Sequence, residues 1–204
     1  MSLQSRAVTM TKQMIQIEST DPGTYENAMA DWITTQLAPY PNVRLSRQEV
    51  LPGRPNLIAE LTGDPSLPAL VMICHMDTVV VGDGWTLPPF DAIEKDGKIY
   101  GRGACDMKSG LACCLSAFQY AAETLQTSGK TPKQTLKLIC SMDEEDFMRG
   151  SEACIQAGWV TDHDWVIDAE PTNGQIQMAH KGRTWYEIDV QGHTAHASTP
   201  WKGA

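Results

Sequence analysis

Apolar and polar positions recur along this chain with two periods, and the switches between them mark its predicted elements. Over residues 6–18 the apolar positions Val8, Met14, Ile15 and Ile17 suit a helix, and Met29, Ile33 and Leu37 do the same over 25–38. Pro39 and Pro41 stop the second helix, because proline lacks the N–H that a helix needs and its ring clashes with the preceding turn. Residues 43–50 alternate loosely, like an exposed strand, and 56–61 read as another. The run 69–74 (ALVMIC) is continuously apolar, the pattern of a central strand buried on both faces. A stretch rich in Gly, Pro and Asp follows over 79–103, with a hairpin turn predicted at Asp96-Gly97, and leads into a helix over 108–123. Beyond a loop at 128–134, a second central strand is predicted at 135–141 (TLKLICS), a helix at 151–157 and a third short central strand at 165–168.

Strands that alternate with helices predict a layered α/β fold with a mainly parallel sheet, and such sheets bind ligands beyond the carboxyl ends of their strands. From about residue 175 the pattern becomes extended, most clearly as an alternating strand at 184–191 (TWYEIDVQ). A second domain is therefore expected to begin near Gly182, giving domains 1–181 and 182–204.

Composition narrows the classes. With 204 residues, 42% apolar and 20% charged, the chain can bury a sheet and gives no reason to expect disorder. No apolar run is long enough for a membrane-spanning helix. The start, Met1-Ser2-Leu3-Gln4-Ser5-Arg6, lacks the positive stretch and apolar core of a secretory leader, so a cytoplasmic location is expected. A net charge of -9 without a Lys/Arg cluster excludes a phosphate backbone as partner. Cys74, Cys105, Cys113, Cys114, Cys140 and Cys154 form no C-x-x-C pair and read as reduced core thiols.

The candidate chemistry sits where the predicted central strands end. In His75-Met76-Asp77 the period of an extended chain puts His75 and Asp77 on one side, and Asp77 can then support a metal-bound imidazole from behind. A structural His/Asp pair is the alternative. Asp106, within Gly101-Arg102-Gly103-Ala104-Cys105-Asp106-Met107-Lys108-Ser109-Gly110, can bridge two metal ions or simply cap the helix that follows. In Met142-Asp143-Glu144-Glu145-Asp146 four consecutive acids follow a buried strand; they repel one another unless a cation or solvent intervenes. Glu144 and Glu145, being adjacent, can face different ways. Glu170, in Asp168-Ala169-Glu170-Pro171-Thr172, adds another oxygen donor. One imidazole with several carboxylates at a single sheet edge suits zinc. The glycine-rich segment lacks the G-x-x-x-x-G-K-[ST] order of phosphate-binding loops, which disfavours Mg²⁺-dependent phosphoryl transfer.

The sequence resembles the M20 family of metallopeptidases and deacylases, which includes acetylornithine deacetylase, succinyl-diaminopimelate desuccinylase, aminoacylase and carboxypeptidase G. The resemblance lies in His75-Met76-Asp77-Thr78-Val79, Trp85 through Pro89-Phe90, Asp96 through Gly103, Asp106-Met107-Lys108, Asp143-Glu144-Glu145, Glu170-Pro171-Thr172 and Gly192 to Pro200, in the family's order. It implies a three-layer α/β/α catalytic domain with a mixed, mainly parallel sheet, followed by the start of an α+β lid and dimerisation domain. It further implies two zinc ions, with cobalt able to substitute. His75 and Glu170 would hold one ion and Glu145 the other, with Asp106 between them and Asp77 behind His75. Glu144 corresponds to the general base, which takes a proton from water and passes it to the leaving nitrogen. His196 corresponds to a histidine that reaches the partner subunit's site in dimeric members, and His193 is the competing candidate. A cis peptide after Asp106 is also implied.

The expected activity is hydrolysis of an amide bond in N-acyl amino acids or small peptides, by a homodimer in the full-length protein. The family's remaining ligand histidine lies beyond residue 204, and neither His163, read as a surface residue, nor His180, read as a strand end, matches it. A catalytically incomplete fragment, or a non-catalytic metal-binding or interaction protein of the same fold, is the alternative. Trp85, Arg183 and Trp185 are read as packing residues, with substrate contact as the second possibility.

Overall fold

The computed structural model describes residues 2–203; Met1, part of the start read for a leader, and Ala204, the end of the expected second domain, lie outside the described residues. The chain divides into two compact units after Pro171. In the first unit the elements are α1 (Leu3–Ile15), β1 (Thr20–Asp21), α2 (Asn27–Leu37), β2 (Arg44–Leu51), β3 (Arg54–Leu61), β4 (Leu70–His75), β5 (Thr78–Val79), β6 (Ile93–Lys95), β7 (Lys98–Tyr100), α3 (Lys108–Ser128), β8 (Leu136–Ser141), α4 (Arg149–Gln156) and β9 (Trp165–Asp168). The predicted hairpin at Asp96-Gly97 joins β6 to β7. α3 runs past the expected end at Glu123 because Leu125 still packs against the core.

Five strands form one mixed sheet in the order β2-β3-β8-β4-β9. β8, β4 and β9 pair in parallel, whereas β3 runs antiparallel to both β2 and β8. Alternation along the inner strands sorts side chains to two faces. Leu57, Ala59, Leu61, Met72, Cys74, Leu138 and Cys140 join a core with α1, α2 and α3, while Ile58, Val71 and Ile139 join a smaller one with Cys154 of α4. The result is three layers, α/β/α. α3 turns Leu111, Leu115, Phe118 and Ala122 inward at helical spacing, and each large apolar side chain so buried contributes about 1.5–3 kcal/mol.

Two expectations change in this unit. β9 is an edge strand rather than a central one, paired with β4 alone among the described residues, and its Trp165 remains 68% exposed. An apolar run announces burial, but only a neighbouring element can supply it. Cys105 and Cys113 are exposed while the other four cysteines are buried; all six are free. Cys113 sits one helical position from buried Cys114, which is enough to turn it outward.

In the second unit, 172–203, the only regular element among the described residues is a 3₁₀ turn, Pro200–Lys202. The strand expected over 184–191 is absent. Tyr186, Ile188 and Val190 are all more than four-fifths exposed. Strand character needs a partner ladder, and no described segment pairs with this one. His180, expected at a strand end, is accordingly an exposed residue whose Nδ1 lies 3.0 Å from the Lys181 carbonyl, and His163 is exposed as expected. No helix of the described residues is long and apolar enough to cross a membrane.

Candidate metal centre

β4 and β8 lie side by side and parallel, with His75 opposite Ser141, so whatever follows each strand emerges at the same sheet edge. β9 runs parallel on the other side of β4 and brings Ala169-Glu170 to that edge. The fourth contributor comes from the loop before α3. The first residue of that helix is Lys108 and its N-cap is Met107, with no side-chain cap bond, so Asp106 does not cap the helix and its carboxylate is free for His75. The Asp106-Met107 peptide is cis. α3 can close on the end of β9 because Gly110 carries no side chain: a Cβ there would lie 2.3 Å from the Ala169 carbonyl oxygen.

These elements converge on His75. Its ring is nearly fully buried, and Nε2 lies 3.1 Å from Asp106 Oδ1, 3.3 Å from Glu170 Oε1 and 3.9 Å from Glu144 Oε2. The ligand atoms of His75, Asp106 and Glu145 fall within 4.8 Å of one another, as do those of His75, Glu144 and Glu170. Donors around one tetrahedral zinc stand about 3.5 Å apart at metal–ligand distances of ~2.0–2.2 Å, so small side-chain adjustments suffice to hold an ion here. One nitrogen and several hard oxygens fit that metal by chemistry as well as by spacing.

The electrostatics show what a cation would relieve. Burial alone would lower the His75 pKa, but Asp106, Asp77 and Glu170 together hold it well above the ordinary imidazole range, so the ring serves as counter-charge to the carboxylates. The hydrogen bond from His75 holds Asp106 below the usual carboxylate range. Burial, followed by the Asp106 charge, pushes Glu145 up to about 7.

Asp77 serves two neighbours. His75 Nδ1 is 2.9 Å from the Asp77 backbone carbonyl and 3.6 Å from the carboxylate Oδ1. The fully buried carboxylate accepts the backbone N–H groups of Glu144 at 3.2 Å and Glu145 at 3.0 Å. The acidic run then divides. Glu144 and Glu145 belong to the cluster around His75, whereas Asp143 turns away to Arg149, at 2.6 and 2.5 Å, and to Arg54 at 3.3 Å. Asp146 lies 3.9 Å from Arg149. Arginine, as well as any metal, offsets the repulsion within the run.

Sequence reading passed over Glu26, Arg54 and Asn56, which are all buried behind this loop. Arg54 and Asn56 showed only as polar residues at the start of a strand, and Glu26 only as an acid before a helix, and both are common. His196 lies in the second unit, exposed, with Nδ1 2.9 Å from Ser198 Oγ. His193 is exposed there as well.

Known proteins resemble this chain in sequence and in fold. A probable succinyl-diaminopimelate desuccinylase of Staphylococcus aureus is 38% identical over 152 residues, covering 74% of this chain and 36% of the relative. An acetylornithine deacetylase of Proteus mirabilis is 33% identical over 183 residues, covering 87% of this chain and 43% of the relative. The chain therefore spans well under half the length of these curated relatives. Among solved structures, the M20 family metallo-carboxypeptidase Sso-CP2 of Sulfolobus solfataricus superposes with a TM-score of 0.63 at 21% identity, over 80% of this chain and 37% of that one. The aminopeptidase PepT of Bacillus cereus does so with a TM-score of 0.60 at 22% identity, over 98% of this chain and 53% of that one. At those identities the likeness concerns the fold. The pattern of one peptidase family runs from residue 71 to residue 202 and so takes in β4, the loop before α3, the acidic run and Glu170: the chain belongs to peptidase family M20/M25/M40.

Proposed function

We propose that the complete protein hydrolyses the amide bond of an N-acyl amino acid or small peptide, using two zinc ions held by His75, Asp106, Glu145 and Glu170. The observation that carries this reading is the buried His75 imidazole facing Asp106 and Glu170 at 3.1 and 3.3 Å, with Glu144 and Glu145 beside them. The reading also draws on the names of the relatives, a desuccinylase and a deacetylase.

The divalent ions would polarise the scissile carbonyl and make a water at the site more acidic. The chain supplies the rest. His75, Glu145 and Glu170 come from three parallel strand ends, which hold the donor set on rigid supports. Asp106 lies closest to the His75 Nε2 and would be shared by the two ions. Glu144 lies beside the donors and is held through its own N–H by Asp77. It takes the proton of the attacking water and returns it to the leaving nitrogen. His196 is assigned to stabilising the oxyanion in a homodimer, and 182–204 to the beginning of a lid domain.

The test is metal analysis of the purified complete protein alongside hydrolysis of acetylated, succinylated and dipeptide substrates, before and after chelation. Two equivalents of zinc, activity lost on chelation and regained with Zn²⁺ or Co²⁺, would support the reading. Undiminished hydrolysis after exhaustive chelation would refute it.

A further inference from the structure

The loop that carries Glu144 and Glu145 is held from behind by side chains. Four consecutive backbone N–H groups donate to side-chain oxygens of other segments: Met142 to Asn56 Oδ1 at 3.0 Å, Asp143 to Glu26 Oε1 at 3.1 Å, and Glu144 and Glu145 to the Asp77 carboxylate. The loop thus leaves β8 along a rail built by α2, β3 and the end of β4 rather than along another strand. Asp143 has φ of 63°, in the left-handed region that a non-glycine residue keeps only where its surroundings require it.

Glu26 is the pivot of that rail. It precedes α2, is fully buried and makes no cap bond to its own helix. Its carboxylate is gripped by Arg54 through Nε at 2.9 Å and Nη2 at 2.5 Å, a two-point pairing that fixes the plane of both groups. Arg54 also donates to Asp21 at 2.5 Å, lies 3.3 Å from Asp143 Oδ1 and stacks 4.1 Å from the Tyr25 ring centre. Asp143 is therefore held at both ends, its N–H by Glu26 and its carboxylate by Arg54 and Arg149.

We propose that Glu26, locked by Arg54, is a positioning residue for the Glu144-Glu145 pair, acting through the backbone N–H of Asp143. It is not among the ligands proposed above, and its carboxylate is engaged by Arg54 and the Asp143 N–H. This inference rests on the roles proposed above for Glu144 and Glu145. An ion pair that merely joined two elements would resemble Arg6–Glu123, which links α1 to α3 at 3.0 Å.

The test compares Glu26→Ala, Glu26→Gln, Arg54→Lys and the control Glu123→Gln in the complete protein. It reads hydrogen exchange of the 142–146 amides, Co²⁺ affinity by calorimetry and the visible spectrum of bound Co²⁺. For Glu26→Ala we expect loop amides that exchange at least tenfold faster, Co²⁺ binding weakened about tenfold and an altered spectrum. Glu26→Gln keeps an oxygen for the Asp143 N–H and should restore most of each readout. Arg54→Lys keeps the charge without the fork and should move each readout in the direction of Glu26→Ala; it decides the matter if Glu26→Ala does not fold. Glu123→Gln should change none of them. Equal effects in Glu26→Ala and Glu123→Gln, or unchanged loop exchange in both Glu26→Ala and Arg54→Lys, would overturn the inference. Failure of the unaltered protein to bind Co²⁺ would overturn the metal reading instead, leaving the exchange measurement to decide the positioning role.

Discussion

The Asp77 carboxylate accepts the backbone N–H of Glu145 at 3.0 Å, so the residue two places beyond the candidate ligand His75 anchors the peptide of a second candidate ligand. One carboxylate thereby sets the spacing between two strand ends. Its neighbour bond to the Glu144 N–H makes the arrangement two-pronged.

Replacing that group should therefore loosen the site more than it unfolds the protein. Asp77→Asn keeps one acceptor and turns an N–H donor towards the other amide; Zn²⁺ affinity is expected to fall about 10–100-fold. Asp77→Ala should fall further and also destabilise the fold by about 1–3 kcal/mol, as two part-buried amides lose their partners. Calorimetric titration with Zn²⁺ and urea denaturation of both variants measure the two effects separately.

Glu144 and Glu145 are adjacent but should fail differently. Glu144→Gln is expected to retain metal and to lower kcat about 10²–10⁴-fold, the usual range for a lost general base. Glu145→Gln is expected to lower metal content first, with activity partly regained at high Zn²⁺. Metal content and kcat measured on the same preparations separate these outcomes, and equal metal loss in both variants would contradict the division of roles.

The metal-free protein should lose stability as pH rises. Glu145, pushed up from 4.5 to about 7, binds a proton in the folded state that it releases when unfolded across that window. Its contribution is therefore fully present below pH 4.5 and is lost as pH passes 7. His75, raised above its ordinary 6.5, acts in the same direction at higher pH. Metal binding as proposed would displace both protons. Thermal melts from pH 5 to 8, with and without chelator, should diverge as pH rises, and calorimetry in buffers of different ionisation enthalpy should show proton release.

Gly150 opens the turn into α4. A Cβ there would stand 2.3 Å from the Met142 carbonyl oxygen and 2.6 Å from Asn56 Oδ1, the group that receives the Met142 N–H. Gly150→Ala should destabilise by about 1–3 kcal/mol through overpacking, despite the better helix propensity of alanine. A denaturation midpoint equal to that of the parent chain would show that the loop yields freely.

Much of the candidate site is legible in the sequence. An apolar run that ends abruptly in His75-Met76-Asp77 or Asp143-Glu144-Glu145 can be interpreted from local order alone, because strands deliver their next residues to one sheet edge. The same reasoning misplaced β9 as a central strand and expected a strand over 184–191, since an apolar pattern does not say whether a neighbour is there to cover it. It separated Glu144 from Glu145 but gave Asp143 no partner of its own. Asp143 turned the other way, towards Arg54, far from it in sequence, and Arg149, the first residue of α4.

Sequence by itself determined the helix and strand periods, the residue types that could bind a metal and the order in which they occur, because these depend on neighbours a few positions apart. Only the tertiary structure decided which of those groups meet, that β3 reverses direction beside β8, and that Glu26, Arg54 and Asn56 stand behind the loop bearing Glu144 and Glu145. Contacts between residues tens of positions apart arise from how the chain packs, and the burial that makes a lone carboxylate and a lone arginine choose each other exists only once the core has closed.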